Sequence, residues 1–360
     1  MREDARLRAL AASCAARLWE LDARGTASVA WSLAKVGVAD ATFFDGVAER
    51  ALRCVDDLNP QDAATLALAL ANAGRGGRLQ SPLTTLELFD AIAERFASSC
   101  RGLNSQDVAN VTWAFAKAEV PAPRFFAAIA AEFQGHRINE FSSKELATTA
   151  RAFAEAFAAD VVEEPLADVR SFFDAIAEAA VAREAASFDD RGLAFLAYAF
   201  AKAEVPAPKL FAAVAAEAPS RVLQGSARSE DVAAIAWALA KAKVSSALPF
   251  FEAIARDQKR LVPRFDADGL AKVAWAFAVV VVSTEEQQPP GLFFALAKAA
   301  IRRIDGFDAT NMATLAWAVA KAGAYEEKRL FNAVAQHIKV ADLKDPKQLS
   351  DVAWAFATAG

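Results

Sequence analysis

The sequence is short of the residues that usually carry chemistry. Its two histidines, His136 and His337, lie far apart and neither recurs in register with a nucleophile, so nucleophilic or acid–base catalysis is not expected. Three cysteines, Cys14, Cys54 and Cys100, are an odd number without C-x-x-C spacing, which argues against a disulfide framework or a zinc site and favours a reducing compartment. No apolar run reaches the roughly 20 residues of a membrane span. Gly74-Arg75-Gly76-Gly77 lacks the G-K-[ST] that completes a phosphate loop. The acidic pairs Glu163-Glu164 and Glu285-Glu286 read as solvated loop charge. No metal, cofactor, membrane or small-molecule substrate is therefore expected. The net charge of −5 gives no basic excess that would advertise a nucleic-acid partner.

What the chain has in abundance is one phrase, clearest in Val111-Thr112-Trp113-Ala114-Phe115-Ala116-Lys117-Ala118-Glu119. Trp31, Trp113, Trp237, Trp275, Trp317 and Trp354 occupy its anchor, and Leu68, Arg151 and Tyr198 replace the Trp in three weaker copies. The nine anchors are 37 to 47 residues apart. Such a period marks a solenoid of repeats. A second phrase, typified by Phe125-Phe126 and Phe250-Phe251, precedes the anchor by 23 to 26 residues and often runs into Ala-Ile-Ala. Both phrases carry apolar residues at helical spacing. Each repeat is therefore a helix pair, A then B, and the first A helix is the degenerate stretch Ala5 to Leu18. The expected fold is all-α: one α-solenoid over residues 1–360, with about eighteen helices.

Prolines such as Pro121, Pro123, Pro206 and Pro208 separate a B helix from the next A helix, and Asn59 or Asn104 supplies a cap ahead of a B helix. The long spacings come from insertions in B-to-A loops, near 75–86, 158–169 and 282–290. Both ends of the array are abrupt, as in a piece of a longer one, because arrays usually carry polar capping repeats. Arg2, Arg6, Arg8 and Arg17 would suit a targeting peptide, but Glu3, Asp4, Glu20 and Asp22 do not, and the stretch is read as repeat.

Comparing the copies assigns the faces of the B helix. At 100° per residue, positions five and two before the anchor and two after it form the apolar stripe that packs on the A helices, while alanines flank it where B helices stack. Positions seven before, three before and four after lie within about 60° of the anchor and are mostly polar. Four after stand Lys35, Lys117, Lys202, Lys241 and Lys321; seven before stand Arg24, Lys144 and Arg191 among others. These are candidate phosphate contacts. Three before, the side chain changes from copy to copy: Ser28, Thr65, Asn110, Thr148, Lys272, Thr314 and Asp351 are candidate base readers beside Phe195 and Ala234. The six anchor tryptophans are either stacking platforms for bases or packing wedges between helices.

The phrases Asp107 to Lys117 and Met312 to Lys321 resemble the octotricopeptide repeat, whose second helix reads like L-A-N-x-x-W-A-L-A-K-L-G, and are similar to the helical repeats of FAST-kinase-like and RAP-domain proteins. The resemblance covers essentially the whole chain, with Asn110 at the motif's Asn. It implies a non-catalytic solenoid that binds single-stranded organellar RNA, alone or with other RNA-processing proteins. The implied role is transcript stabilisation, processing, splicing or translation in a mitochondrion or chloroplast. The competing reading is a HEAT or armadillo-like protein-interaction scaffold. It gains if Glu155, Glu230, Asp268 and Asp351 break the basic row.

Overall fold

The computed structural model describes residues 5–38, 40–74, 82–99, 103–133, 136–158, 166–280, 291–324, 328–339, 342–343 and 345–360. It contains nineteen α-helices and no strand among these residues. The chain divides into two compact units, Met1–Ala182 and Arg183–Gly360. The insertions foreseen near 75–86, 158–169 and 282–290 lie largely outside the described residues, though their last residues extend the A helices that start at Pro82 and Leu166.

In the first unit the A helices are α1 (Ala5–Ala15), α3 (Ala41–Arg53), α5 (Pro82–Ser99), α7 (Pro123–Phe133) and α9 (Leu166–Ala182). The B helices are α2 (Ala23–Lys35), α4 (Pro60–Gly74), α6 (Ser105–Ala118) and α8 (Ser143–Ala158). In the second unit the B helices are α10 (Asp190–Lys202), α12 (Ser229–Lys241), α15 (Ala267–Val280), α17 (Ala309–Lys321) and α19 (Pro346–Ala359). Its A helices are α11 (Pro208–Gln224), α13 (Leu248–Arg256) followed by the short α14 (Gln258–Leu261), α16 (Leu292–Ile301) and α18 (Lys328–His337). The helix beyond the expected eighteen arises because the seventh A helix breaks at Asp257. Release of that residue from the helix lets its carboxylate hold the Arg260 guanidinium at 2.6 Å.

Within each unit every B helix packs on the next B helix, and the A helices form a second layer in which neighbours pack likewise, α16 meeting the turn Val262–Arg264 that follows α14, as in a helical solenoid. Alanine makes the close B stacking possible. Ala67, Ala114, Ala152, Ala199, Ala236, Ala276 and Ala318 are all inaccessible to solvent. Between the layers, B-helix phenylalanines two after the anchor insert among the A-helix pairs. Phe115 lies 5.1 Å from Phe89 and 5.2 Å from Phe125, and Phe153 lies 5.0 Å from Phe126 and 3.8 Å from Phe172. The second unit repeats this with Phe277 at 5.0 Å from Phe251. These rings carry much of the interlayer burial.

Three hydrogen-bonding devices recur from repeat to repeat. The first is the N-cap nine residues before the anchor, where Asp22, Asn59, Asn104, Asp189, Asp266 and Asp308 each accept a hydrogen bond from the backbone N–H three residues on, at 2.7 to 2.8 Å. Arg228 holds this position in α12 and makes no such cap. The second is a Schellman-type stop. Val38, Val120, Val205, Val244 and Ala324 donate to the carbonyls of Leu33, Phe115, Phe200, Leu239 and Val319, with the preceding residue at positive φ. That residue is Gly37 or Gly323 in two repeats, but Glu119, Glu204 and Lys243 in three others.

The third device is an arginine latch. Arg50, near the end of α3, donates to the Leu21 carbonyl at 2.9 and 2.6 Å; Arg95 reaches the Val55 carbonyl and Arg137 that of Leu103. In the second unit Arg221 donates to Phe188 at 2.8 Å, Arg260 to Val222 at 3.1 Å and Arg303 to Phe265 at 2.6 Å. Each guanidinium thus satisfies a carbonyl in the last turn of the A helix or in the A-to-B turn one repeat back. Six arginines are thereby committed to the scaffold.

Candidate nucleic-acid interface

The B-helix faces fall where the copy-to-copy comparison put them. The stripe from α4 to α17 is buried: Val108, Val111 and Phe115 in α6 and Val232, Ile235 and Leu239 in α12 are at most 5% exposed. The opposite face is open. The nine residues seven before the anchor are all exposed, and those three before and four after are half-buried or exposed in every repeat.

The anchors belong to that open face as half-buried side chains; Trp354, at 42% exposure, is the most open. They are neither wedges sealed in the interior nor isolated platforms, because alanine-lined stacking brings neighbouring repeats close enough for anchor to meet anchor. In the first unit the Arg151 guanidinium lies 5.3 Å from the Trp113 ring centre. In the second, Tyr198 and Trp237 are 5.2 Å apart and Trp317 and Trp354 6.5 Å.

The basic row is attached to this ladder. Lys241 lies 5.2 Å from the Trp237 ring centre, and Lys202 and Lys272 lie 6.0 and 5.5 Å from that of Tyr198. Arg191 stands 5.9 Å from Phe195 on the same helix. Tyr198, Trp237, Phe195, Arg191, Lys202, Lys241 and Lys272 thus form one cation–aromatic patch spanning α10, α12 and α15. Tyr198, at an anchor that lacks the Trp, is its centre. The residue-by-residue reading treated that copy as a weak one.

The other candidate cations are placed variously. Arg24, Lys35, Lys144 and Lys321 are exposed, and the Lys117 ammonium donates to the Asn72 side chain one repeat back, joining two positions of the row. Lys241 pairs with Glu204 at 3.1 Å and Lys272 with Asp268 at 2.5 Å. Of the acidic residues expected to interrupt the face, Glu155 pairs with Arg151 at 3.7 Å and Glu230 with Arg228 at 3.9 Å.

Among the candidate readers, Thr65, Thr148 and Thr314 share one geometry. Each hydroxyl donates to the carbonyl four residues back, at 2.7, 2.8 and 2.9 Å. With the proton so used, these oxygens face outward as acceptors. Ser28 is exposed, and Asn110, Lys272 and Asp351 are half-buried on the same face. Two carboxyls near the starts of B helices are held above the usual carboxylate range by burial: Asp107 in α6, and Asp231 in α12, where the Arg228 guanidinium at 2.8 Å pulls the other way. Both belong to helix starts rather than to the open face. No group of three or more metal-ligating side chains occurs among the described residues, and no described helix is long and apolar enough to cross a membrane.

Residues 76–359 match the family of the RNA-editing substrate-binding complex 6 protein. The chain belongs to this family. The match starts two residues after the second B helix and runs through the last, so it takes in whole repeats of this family member, including its cation–aromatic patch. It places the chain in an RNA-associated helical family; the octotricopeptide and FAST-kinase-like likeness is not what the match identifies. No curated relative matches the chain.

Proposed function

We propose that the chain is a non-catalytic RNA-binding subunit of an RNA-editing assembly, holding single-stranded RNA against the open faces of its B helices. The observation that carries the proposal is the patch around Tyr198 and Trp237. Aromatic rings in reach of lysines, repeated at solenoid spacing, are what a single strand needs: stacking surfaces for bases and cations for phosphates. The family's description, an RNA-editing substrate-binding complex, supports RNA as the ligand and proteins as further partners. The outward acceptors of Thr65, Thr148 and Thr314 would favour base edges that present amino groups.

In this reading the octotricopeptide-like arrangement supplies the recognition principle, one variable side chain per repeat, and RNA processing is the role among those the resemblance implies. The compartment is the mitochondrion; the family match lends the chloroplast no support. The test is selection from a randomised single-stranded RNA pool. Enriched sequences, with enrichment lost on Tyr198→Ala/Trp237→Ala, are expected; no retention at low salt by the intact protein would overturn the proposal and leave the protein scaffold as the reading.

A further inference from the structure

A cavity lies beside the cation–aromatic patch, between two successive B-to-A loops of the second unit. It encloses about 660 Å³, within the range of small-molecule sites. One side is apolar, formed by Val205, Pro206, Pro208 and Phe211; the other carries Lys241, Lys243, Ser245 and Ser246, with Glu204 between. Lys241 belongs to both places, since it lines the cavity and also lies 5.2 Å from the Trp237 ring centre. A strand stacked on Tyr198 and Trp237 therefore passes the cavity mouth within reach of one side chain.

Two further features make this more than a gap between loops. Glu204 and Lys243 hold φ values of 55° and 52°, the left-handed region where glycine serves other repeats without strain. Charged side chains are thus kept on the cavity wall at a conformational cost that glycine would avoid. In addition, α11 begins at the cavity wall, where Ala207 at its N-cap and Pro208 in its first turn line the space and no side chain caps that turn, so the positive end of the helix is at the wall.

We propose that this cleft receives one unstacked nucleotide of the RNA bound along the B helices. The base lies against Phe211, Pro206 and Pro208, and the phosphate meets the Lys243 ammonium near the positive end of α11. The inference rests on the RNA-binding reading of the B face and adds a site away from it.

The experiment uses short single-stranded RNAs carrying one thiouridine, photocrosslinked to the full chain and to two variants. Ala212→Trp fills the cavity from an exposed lining position; Lys243→Gly removes the cation and relieves the backbone. Crosslinks within 205–212 or 243–246 are expected in the wild type, lost in Ala212→Trp together with about tenfold in affinity, the scale of one stacked base. Lys243→Gly is expected to melt higher yet bind more weakly, which a purely structural loop residue would not do. RNA binding with crosslinks confined to the B helices, and unchanged affinity in both variants, would overturn the cleft while leaving the B-face reading intact. No RNA binding by the wild type at low salt would overturn both.

Discussion

Single side chains in this protein divide sharply between those that hold the repeats together and those left to meet a ligand. Arg221 shows the first kind: its guanidinium donates to the Phe188 and Ala185 carbonyls and pairs with Glu217 and Asp190. Arg221→Ala strands those acceptors, and a loss of about 2–3 kcal/mol is expected in urea unfolding, with little change in RNA affinity. Asp107 shows a different balance. Burial favours its protonated form, so its contribution to stability is present below the ordinary carboxylate range and fades as pH rises through its raised value. Asp107→Asn keeps the acceptor without the charge. It should be more stable than the wild type at about pH 7, with the advantage closing towards about pH 4, as urea midpoints at the two pH values would report. Neither role could be read from residue type. The latch arginines stand anywhere from 14 to 18 residues before the next anchor, because A-to-B turns vary in length, and a register comparison scatters them among ordinary surface arginines.

At the level of the helix pair, the sequence was most legible where packing repeats itself. The stripe five before, two before and two after the anchor is buried because a helix with a 3.6-residue period has no other way to meet its A partners, and alanines mark the flanks because B helices stack there. Helix stops were harder to see. The rule looks for glycine, and Glu119, Glu204 and Lys243 occupy the left-handed position instead. Glu119 lines none of the cavities described above, so Glu119→Gly should relieve strain alone and raise stability by about 1 kcal/mol, measured as an upward shift of the thermal midpoint. Failure to stabilise would mean that its side chain makes a compensating contact. The break at Asp257 was likewise hidden, since it depends on a carboxylate meeting Arg260 three residues later and not on a proline or glycine.

Across the whole molecule, a net charge of −5 conceals a local arrangement of the opposite sign, because a solenoid keeps its faces apart. The basic row was visible in the sequence as five lysines four residues after the anchor. What they do with the anchors was legible only in part: Lys241 with Trp237 and Lys202 with Tyr198 are i, i+4 pairs within one helix, whereas Lys272 beside Tyr198, and Tyr198 against Trp237, depend on the spacing between stacked B helices, which no single repeat contains. Tyr198 looked like a degraded copy and instead centres a cation–aromatic cluster on the open face. The central claim is that this face binds RNA through its phosphates as well as its bases. The most direct measurement is the dependence of single-stranded RNA affinity on salt, for the wild type and for Lys117→Glu/Lys202→Glu/Lys241→Glu. Affinity should fall steeply with salt in the wild type, by about 0.7 in the logarithmic slope for each phosphate contacted, and the triple variant should bind weakly with a flatter slope. Equal affinities and equal slopes for the two proteins would contradict the account.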